Sequence, residues 1–459
     1  MMSSSPLTMT IVTLGCRVNQ VDSEWLRRCA QQQGYRQAMA GDEVNLVVIN
    51  TCSVTADSDR QARQEVYRAV QAHPQALVVV TGCYAERERQ AITAIPGVAL
   101  VFGNGDKQQF PQLLRDLQQQ HGVALSPPQD EPYLPITERS RAWLQVQNGC
   151  NERCTFCLIP QLRGESRSEP LPSILHRAQQ LQQAGYHELV LTGINLGSYG
   201  RDLTPAITLA DLVGYLLEQL PLNVRLRLSS IDPLDIDDGL VALLAAQPRL
   251  CPHLHLSIQS GDDLILKRMH RRYGRDQLFG LVTRLRQARP DLLLGADIIV
   301  GFPSETIAAF DNSCSLVTEA EITLLHLFRY SDRPGTAAAA FPQRLRVTAD
   351  EMRRRSTQLR LIGQRLCTTV AQRYIGRQAQ VLVESITTDE QGDVHFKGRS
   401  EWFLPVVGRT NAAIPIGAIQ PMQLDSFDDG QMNFIGRVCG DGSGLDGATT
   451  PGSHAAVAV

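Results

Sequence analysis

The feature that most restricts how this 459-residue chain can fold is a regular alternation of short apolar runs with longer, helix-patterned polar stretches. Such alternation specifies βα units and a parallel sheet. In the first 125 residues the strand candidates are 9–14, 44–49, 77–81 and 98–102, with amphipathic helices over 23–33 and 57–72. Three of these strands run into a cysteine: Thr13-Leu14-Gly15-Cys16, Ile49-Asn50-Thr51-Cys52 and Thr81-Gly82-Cys83. Parallel strands present their C-terminal ends at one edge, where α/β sheets bind ligands. The three thiols are therefore expected to converge. Simple packing is the other reading, because free cysteine is often buried.

A Pro-rich segment, Ser126-Pro127-Pro128-Gln129-Asp130-Glu131-Pro132, reads as a connector. Beyond it, strand candidates at 142–147, 188–191, 224–228, 253–258, 292–300 and 324–329 form six further βα-like units, the pattern of an incomplete parallel barrel. The first of these strands delivers Cys150-Asn151-Glu152-Arg153-Cys154-Thr155-Phe156-Cys157. A structural zinc site closes with four protein ligands, and no fourth Cys or His follows nearby. A 4Fe-4S cluster held by three thiolates leaves one iron open. In parallel barrels chemistry sits on the loops after the strands. Those loops carry Thr192-Gly193-Ile194-Asn195, Ser229-Ser230-Ile231-Asp232, Ser257-Ile258-Gln259 and Asp297-Ile298-Ile299-Val300-Gly301. The basic run Lys267-Arg268-Met269-His270-Arg271-Arg272-Tyr273 reads equally as a phosphate-contacting patch or a solvated helix tip.

An Arg-rich helix follows Thr348-Ala349-Asp350-Glu351 and runs to about residue 373. Short strands at 380–384, 394–397, 402–407, 422–425 and 433–438 then suggest a small closed β-barrel of the oligonucleotide-binding type. On it, Trp402 with Phe396 and Phe403 are candidates for base stacking, and Lys397, Arg399 and Arg409 for phosphate contacts; packing in the barrel's own core is the alternative for the aromatics. The expected organisation is an α/β domain at 1–125, a partial (β/α)6 barrel at 136–370, the β-barrel at 371–440 and a disordered tail at 441–459. Net charge is -3, so any RNA partner must be held by local patches. No apolar run is long enough for a membrane span, and no secretion signal is evident. Eleven cysteines in such a chain point to reduced thiols and metal ligation in the cytoplasm.

The C-x3-C-x-aromatic-C run resembles that of the radical S-adenosylmethionine enzymes. Thr13-Leu14-Gly15-Cys16-Arg17-Val18-Asn19-Gln20, Asn50-Thr51-Cys52-Ser53-Val54-Thr55 and Gly82-Cys83-Tyr84-Ala85 resemble the cysteine motifs of the methylthiotransferases. That resemblance implies two 4Fe-4S clusters, one on Cys16, Cys52 and Cys83, the other on Cys150, Cys154 and Cys157. It implies S-adenosylmethionine contacts from Phe156, Gly193, Asn195, Ser230 and Gln259, and an RNA-binding TRAM-like terminal barrel. The TLGC-R/K-VNQ form, with Asp59-Arg60-Gln61-Ala62-Arg63, is similar to the branch acting on threonylcarbamoyladenosine in tRNA. The isopentenyladenosine branch usually reads GCQMN and the ribosomal-protein branch GCPKN. The implied partners are the tRNA anticodon loop, a reductant such as flavodoxin or ferredoxin, and a sulfur donor that the sequence does not name; no general base stands out. From other classes, a zinc-bearing RNA-binding protein or an oxygen-sensing iron–sulfur regulator would use the same cysteines without this chemistry.

Overall fold

The computed structural model describes residues 7–123, 140–410 and 414–439. The Pro-rich segment at 126–132 and the tail from 441 lie outside them. Strands β1 (Leu7–Thr13), β2 (Tyr35–Gln37), β3 (Leu46–Thr51), β4 (Leu77–Gly82) and β5 (Val98–Val101) form one sheet in the order β2-β1-β3-β4-β5. All its neighbours run parallel. The central strands β3 and β4 are buried along their whole length, as a parallel sheet covered on both faces requires. Their side chains alternate between two cores. Leu46, Val48 and Val79 pack with Leu26 and Phe110 on one face; Val47, Ile49, Val78 and Val80 pack with Ala62 and Val66 on the other. Helix α1 (Arg17–Gln31) and helix α2 (Ala56–Ala72) supply part of that cover. α1 begins six residues before the stretch that periodicity marks, because its first turn is polar and its N-cap, Cys16, makes no side-chain cap bond. β2 was not expected. Three residues at a sheet edge are too short to show a period.

The central region contains β6 (Ala142–Gln145), β7 (Gln147–Asn148), β8 (Arg167–Ser168), β9 (Glu188–Thr192), β10 (Arg225–Leu228), β11 (Ser230–Ile231), β12 (His253–Gln259), β13 (Leu293–Val300) and β14 (Ile322–Arg329). They form the sheets β10-β9-β6 and β11-β12-β13-β14, with β7 and β8 as a separate pair. Along β9, β10, β12 and β13, one residue set meets the surrounding helices: Leu189, Leu191, Leu226, Leu254, Leu256 and Ala296 share a core with Leu212, Val213, Leu216 and Leu281. The alternate set, Glu188, Arg225, Arg227, His253, His255 and Asp297, is polar. Period-two alternation thus puts apolar side chains under the helices and charged ones on the opposite face of the sheet.

One compact unit ends at Val370 and a second begins at Ala371. In the second, β15 (Gln378–Thr388), β16 (Val394–Arg399), β17 (Pro405–Thr410), β18 (Ile419–Asp428) and β19 (Asn433–Val438) close a barrel in the order β15-β16-β17-β19-β18. Val381, Val383, Phe396, Val406, Met422, Leu424 and Phe434 fill it.

Candidate active site

The sheet brings the three N-terminal cysteines to one edge. β1, β3 and β4 are adjacent, and their registers pair Thr13 with Asn50 and Thr51 with Gly82, so the strands end level. Gly15 lies at φ +93°, where a Cβ would fall 2.5 Å from Cys52 Cβ and 2.6 Å from its Sγ. Only glycine permits that approach. Cys52 and Cys83 are buried while Cys16 is exposed. Burial pushes the Cys52 thiol up to about 11, and Cys16 and Cys83 add to the rise. After β5, where no fourth cysteine stands, Asn104 reaches back and donates to Cys83 Sγ at 3.5 Å. α1 starts immediately after Cys16, so that residue stands at the positive end of a helix.

The loop Cys150–Cys157 is fastened by residues more than a hundred positions away. Thr155 N donates to Met269 O at 3.1 Å and its Oγ1 to Arg268 O at 2.8 Å. His270, at φ +63°, pairs its Nδ1 with Arg153 O at 3.0 Å, and Arg272 pairs with Glu152 at 2.7 Å. Arg271 Nη1 donates to Cys154 Sγ at 3.4 Å, while Nη2 is held by Asp232 at 2.6 Å and Ser257 O at 2.9 Å. The backbone N–H groups of Glu152 and Ile159 point at Cys150 Sγ and Cys157 Sγ, both at 3.4 Å. Burial raises these two thiols to about 11 and about 12. Within the basic run at 267–273, residues 268–272 therefore support the cysteine loop, while Lys267 stays exposed. Sequence offered no signal for this, because the contacts are long-range.

The expected S-adenosylmethionine residues gather around this loop. Gly193 lies against Gln147, with room for no Cβ beyond 2.8 Å of Gln147 Oε1, and Asn195 N donates to that oxygen at 2.9 Å. Gln147 Nε2 in turn donates to Gly149 O at 2.7 Å, next to Cys150. Ser230 pairs in register with His255, and Gln259 ends β12 at φ +72°; between them lie Asp232 and Ser257, which hold Arg271. Phe156 packs against the cluster of Ile265, Met269, Ile299 and Phe302, so its ring also anchors the loop.

The two thiol sets are neighbours. Cys83 packs on Leu158 and Leu162, just beyond Cys157, and Asn104 also donates to Leu162 O at 2.9 Å. Arg163 closes the gap. It bonds Asn19 Oδ1, Asn148 Oδ1 at 3.1 Å and Asp22 at 3.1 Å. Burial opposes its charge, but Cys83, Asp22 and Cys16 outweigh burial and raise its pKa. A second clamp joins the same domains: Asp59 accepts from Arg87 at 2.7 Å and Arg333 at 2.8 Å, and Arg333 also bonds Ser53 O at 3.0 Å, beside Cys52. Asp59, the first residue of the Asp-Arg-x-x-Arg run, is thus structural, while Arg60 and Arg63 face solvent.

The polar face of the central strands forms a charged lining. Glu188 is fully buried and paired with Arg141 at 3.2 Å, Arg225 at 2.6 Å and Arg227 at 2.9 Å. Burial would raise its carboxyl, but the three guanidinia hold it well below the usual range. Asp297 accepts from His255 Nε2 at 3.0 Å and approaches His326 Nδ1 at 3.4 Å; these bonds overcome burial and keep its carboxyl low. Arg17 enters the same environment from α1, its guanidinium 5.0 Å above the Trp143 ring. Burial, then Arg141 and Arg227, lower its pKa to about 10.

Comparison with known proteins agrees with this geometry. Residues 8–103 match the family described as uncharacterized protein family UPF0004, and residues 144–317 match the radical SAM superfamily. The chain is 36% identical to the threonylcarbamoyladenosine tRNA methylthiotransferase MtaB of Rickettsia prowazekii, over 94% of this chain and 97% of that protein. It is 29% identical to the tRNA-2-methylthio-N(6)-dimethylallyladenosine synthase of Clostridium botulinum, over 91% of this chain and 95% of that one. The chain belongs to the radical S-adenosylmethionine methylthiotransferases. It is an enzyme of that class, with a 4Fe-4S cluster and S-adenosylmethionine as cofactors. A solved structure of the radical S-adenosylmethionine methyltransferase TsrM from Kitasatospora setae shares its fold, with TM-score 0.54 and 16% identity over 73% of this chain and 77% of that one.

The residues of this methylthiotransferase fit the class cluster. Cys150, Cys154 and Cys157 receive two backbone N–H groups and one guanidinium on their sulfurs, and such donors stabilise thiolates. No helix among the described residues is long and apolar enough to cross a membrane.

In the second unit the predicted RNA residues divide. Trp402 is corrected: it is 5% exposed and packs edge-on against Tyr374, centroids 4.6 Å apart. It precedes β17 in a turn, so its ring serves the barrel's core rather than a stacking surface. Phe396 is likewise buried. Lys397 and Arg409 are exposed, Arg409 pairing with Asp393 at 3.1 Å. Arg399 pairs with Glu384 at 3.4 Å and lies 4.6 Å over the Phe403 ring.

Proposed function

We propose that this methylthiotransferase converts N6-threonylcarbamoyladenosine in the anticodon loop of tRNA to its 2-methylthio derivative. The relative of that name at 36% identity and the first cysteine motif with Arg17 support the substrate. The observation that carries the chemistry is the second three-thiol edge, one layer of Leu158, Leu162 and Arg163 away from the radical loop.

An adenine C2–H bond is beyond side-chain acid–base chemistry, so the bound cofactors would supply the radical chemistry and the methylated sulfur. The chain's own residues bind and orient. Cys150, Cys154 and Cys157 would hold the radical cluster, with Arg271 adding a positive charge at Cys154. Gly193, Asn195, Ser230 and Gln259, with Phe156 behind the loop, hold the nucleotide of S-adenosylmethionine. Cys16, Cys52 and Cys83 would hold a second 4Fe-4S cluster, beside Asn104 and Arg163. A single-stranded loop can offer a splayed base, and Lys397, Arg399 and Arg409 meet RNA phosphates on the terminal barrel. A reductant such as flavodoxin or ferredoxin supplies electrons. Nucleoside analysis of tRNA from a deletion strain tests the substrate: 2-methylthio-threonylcarbamoyladenosine disappears. Its persistence, with loss of the dimethylallyl analogue or of a modified ribosomal protein, contradicts the proposal.

A further inference from the structure

We propose that Arg17 is a specificity residue that binds the carboxylate of the acceptor's threonylcarbamoyl group, a role that rests on the substrate reading above. Arg17 is the first residue of α1, directly after Cys16. Its side chain crosses from the first domain to the central strands, where α1 packs on β6 and the guanidinium lies 5.0 Å over Trp143.

Glu188 and Asp297 act on Arg17 through space, but neither is paired with it. Glu188 is shared among Arg141, Arg225 and Arg227, and Asp297 is engaged by His255 and His326. Among the described residues the Arg17 guanidinium makes no hydrogen bond or ion pair; its one close partner is an aromatic face. The indole N–H of Trp143 is buried and also donates to nothing among the described residues. A half-buried guanidinium with no ion pair, stacked over an indole whose buried N–H is also unmatched, calls for an acceptor from outside. A planar carboxylate suits a guanidinium fork.

The chemistry of the proposed substrate supplies that group. A threonylcarbamoyl substituent ends in a carboxylate, whereas a dimethylallyl substituent has no charge. C2 and the N6 substituent share the Watson–Crick edge of adenine, so a base with C2 at the thiol edge carries its N6 arm along that edge, and Arg17, which follows Cys16 in the chain and turns its guanidinium toward the central strands, is the cation placed to meet it.

The test is a cycle of two changes with reconstituted holoenzyme. Wild type, Arg17→Met and Arg17→Lys are assayed on tRNA carrying threonylcarbamoyladenosine and on the same tRNA with its carboxylate capped as a methyl ester. Arg17→Met raises KM for the acid by about ten- to a hundredfold, the scale of a lost charged hydrogen bond, with little change in kcat. Capping costs the wild type a similar factor and costs Arg17→Met almost nothing, and Arg17→Lys recovers part of the loss. Iron content equal to wild type shows that the variants retain their clusters. If capping costs wild type and Arg17→Met the same factor, Arg17 does not read the carboxylate and the inference fails alone. If wild type modifies neither tRNA, the substrate reading fails and takes the inference with it.

Discussion

The two thiol sites solve one problem in opposite ways. Cys150, Cys154 and Cys157 are close because they share a single loop; what needs distant help is the loop's shape, supplied by Arg268–Arg272, Asp232 and Ser257. Cys16, Cys52 and Cys83 come from three different βα units, and the parallel sheet alone brings them together. The first site is local in its ligands and non-local in its supports. In the second the cysteines are far apart in sequence, and Gly15 at Cys52, Asn104 at Cys83 and Arg163 shape the edge that the strands have already built. The loop site depends on contacts from distant residues, whereas the sheet-edge site depends on level strand ends and on the close approach of Gly15 to Cys52.

Several substitutions would break this contrast, and the largest effect is expected at the ligands. Cys154→Ala should remove S-adenosylmethionine cleavage under dithionite by more than the about 10–100-fold typical when a metal ligand merely loses its hydrogen-bond partner. The triple change Cys16→Ala/Cys52→Ala/Cys83→Ala should leave cleavage within about threefold of wild type while abolishing methylthio product. Quantifying 5′-deoxyadenosine and product together checks both. Arg271→Met should fall in the about 10–100-fold range for activity or cluster retention, and equality with wild type would mean the loop keeps its shape unaided.

Smaller effects fall on stability. Asp59→Ala leaves the buried Arg333 without its carboxylate and takes one of two from Arg87, which should cost about 3–5 kcal/mol in denaturant unfolding. Gly15→Ala must strain φ and displace Cys52, costing about 1–3 kcal/mol and selectively loosening the first-domain site. The smallest effect is on pH. Burial, followed by the charges of Arg227 and His255, keeps His253 neutral far below its ordinary pKa. Only the unfolded chain then takes up a proton, so stability falls as pH drops below about 6.5. Glu188, depressed by its three guanidinia, contributes stability above about pH 4.5 that is lost as pH falls further. Tm should decline by about 2 °C per pH unit between 6.5 and 5, and His253→Gln should flatten that slope.

Much of the scaffold was legible in the sequence because buried parallel strands read as apolar runs: β3, β4 and β13 were expected within two residues of their ends. The six cysteines were legible for two reasons, spacing for the loop and strand ends for the sheet edge. Arg163, Arg271 and Arg333 were not, because each meets partners 39 to 280 residues away and a surface arginine has the same sequence signature. Trp402 misled in the opposite sense. An aromatic near a barrel strand looks the same whether it faces solvent or Tyr374, and only burial distinguishes them. The charged lining around Glu188 also stayed hidden, since 188–191 and 224–228 were expected only as apolar strands and Glu188 meets Arg225 and Arg227 from 37 and 39 residues away.

The most direct test of the account is iron and sulfide content after anaerobic reconstitution, in wild type and in the Cys16→Ala/Cys52→Ala/Cys83→Ala variant. Two clusters predict about eight irons in wild type and about four in the variant. A wild type with about four irons that the variant keeps would contradict the account, leaving the sheet-edge cysteines as packing residues and the second site without a role.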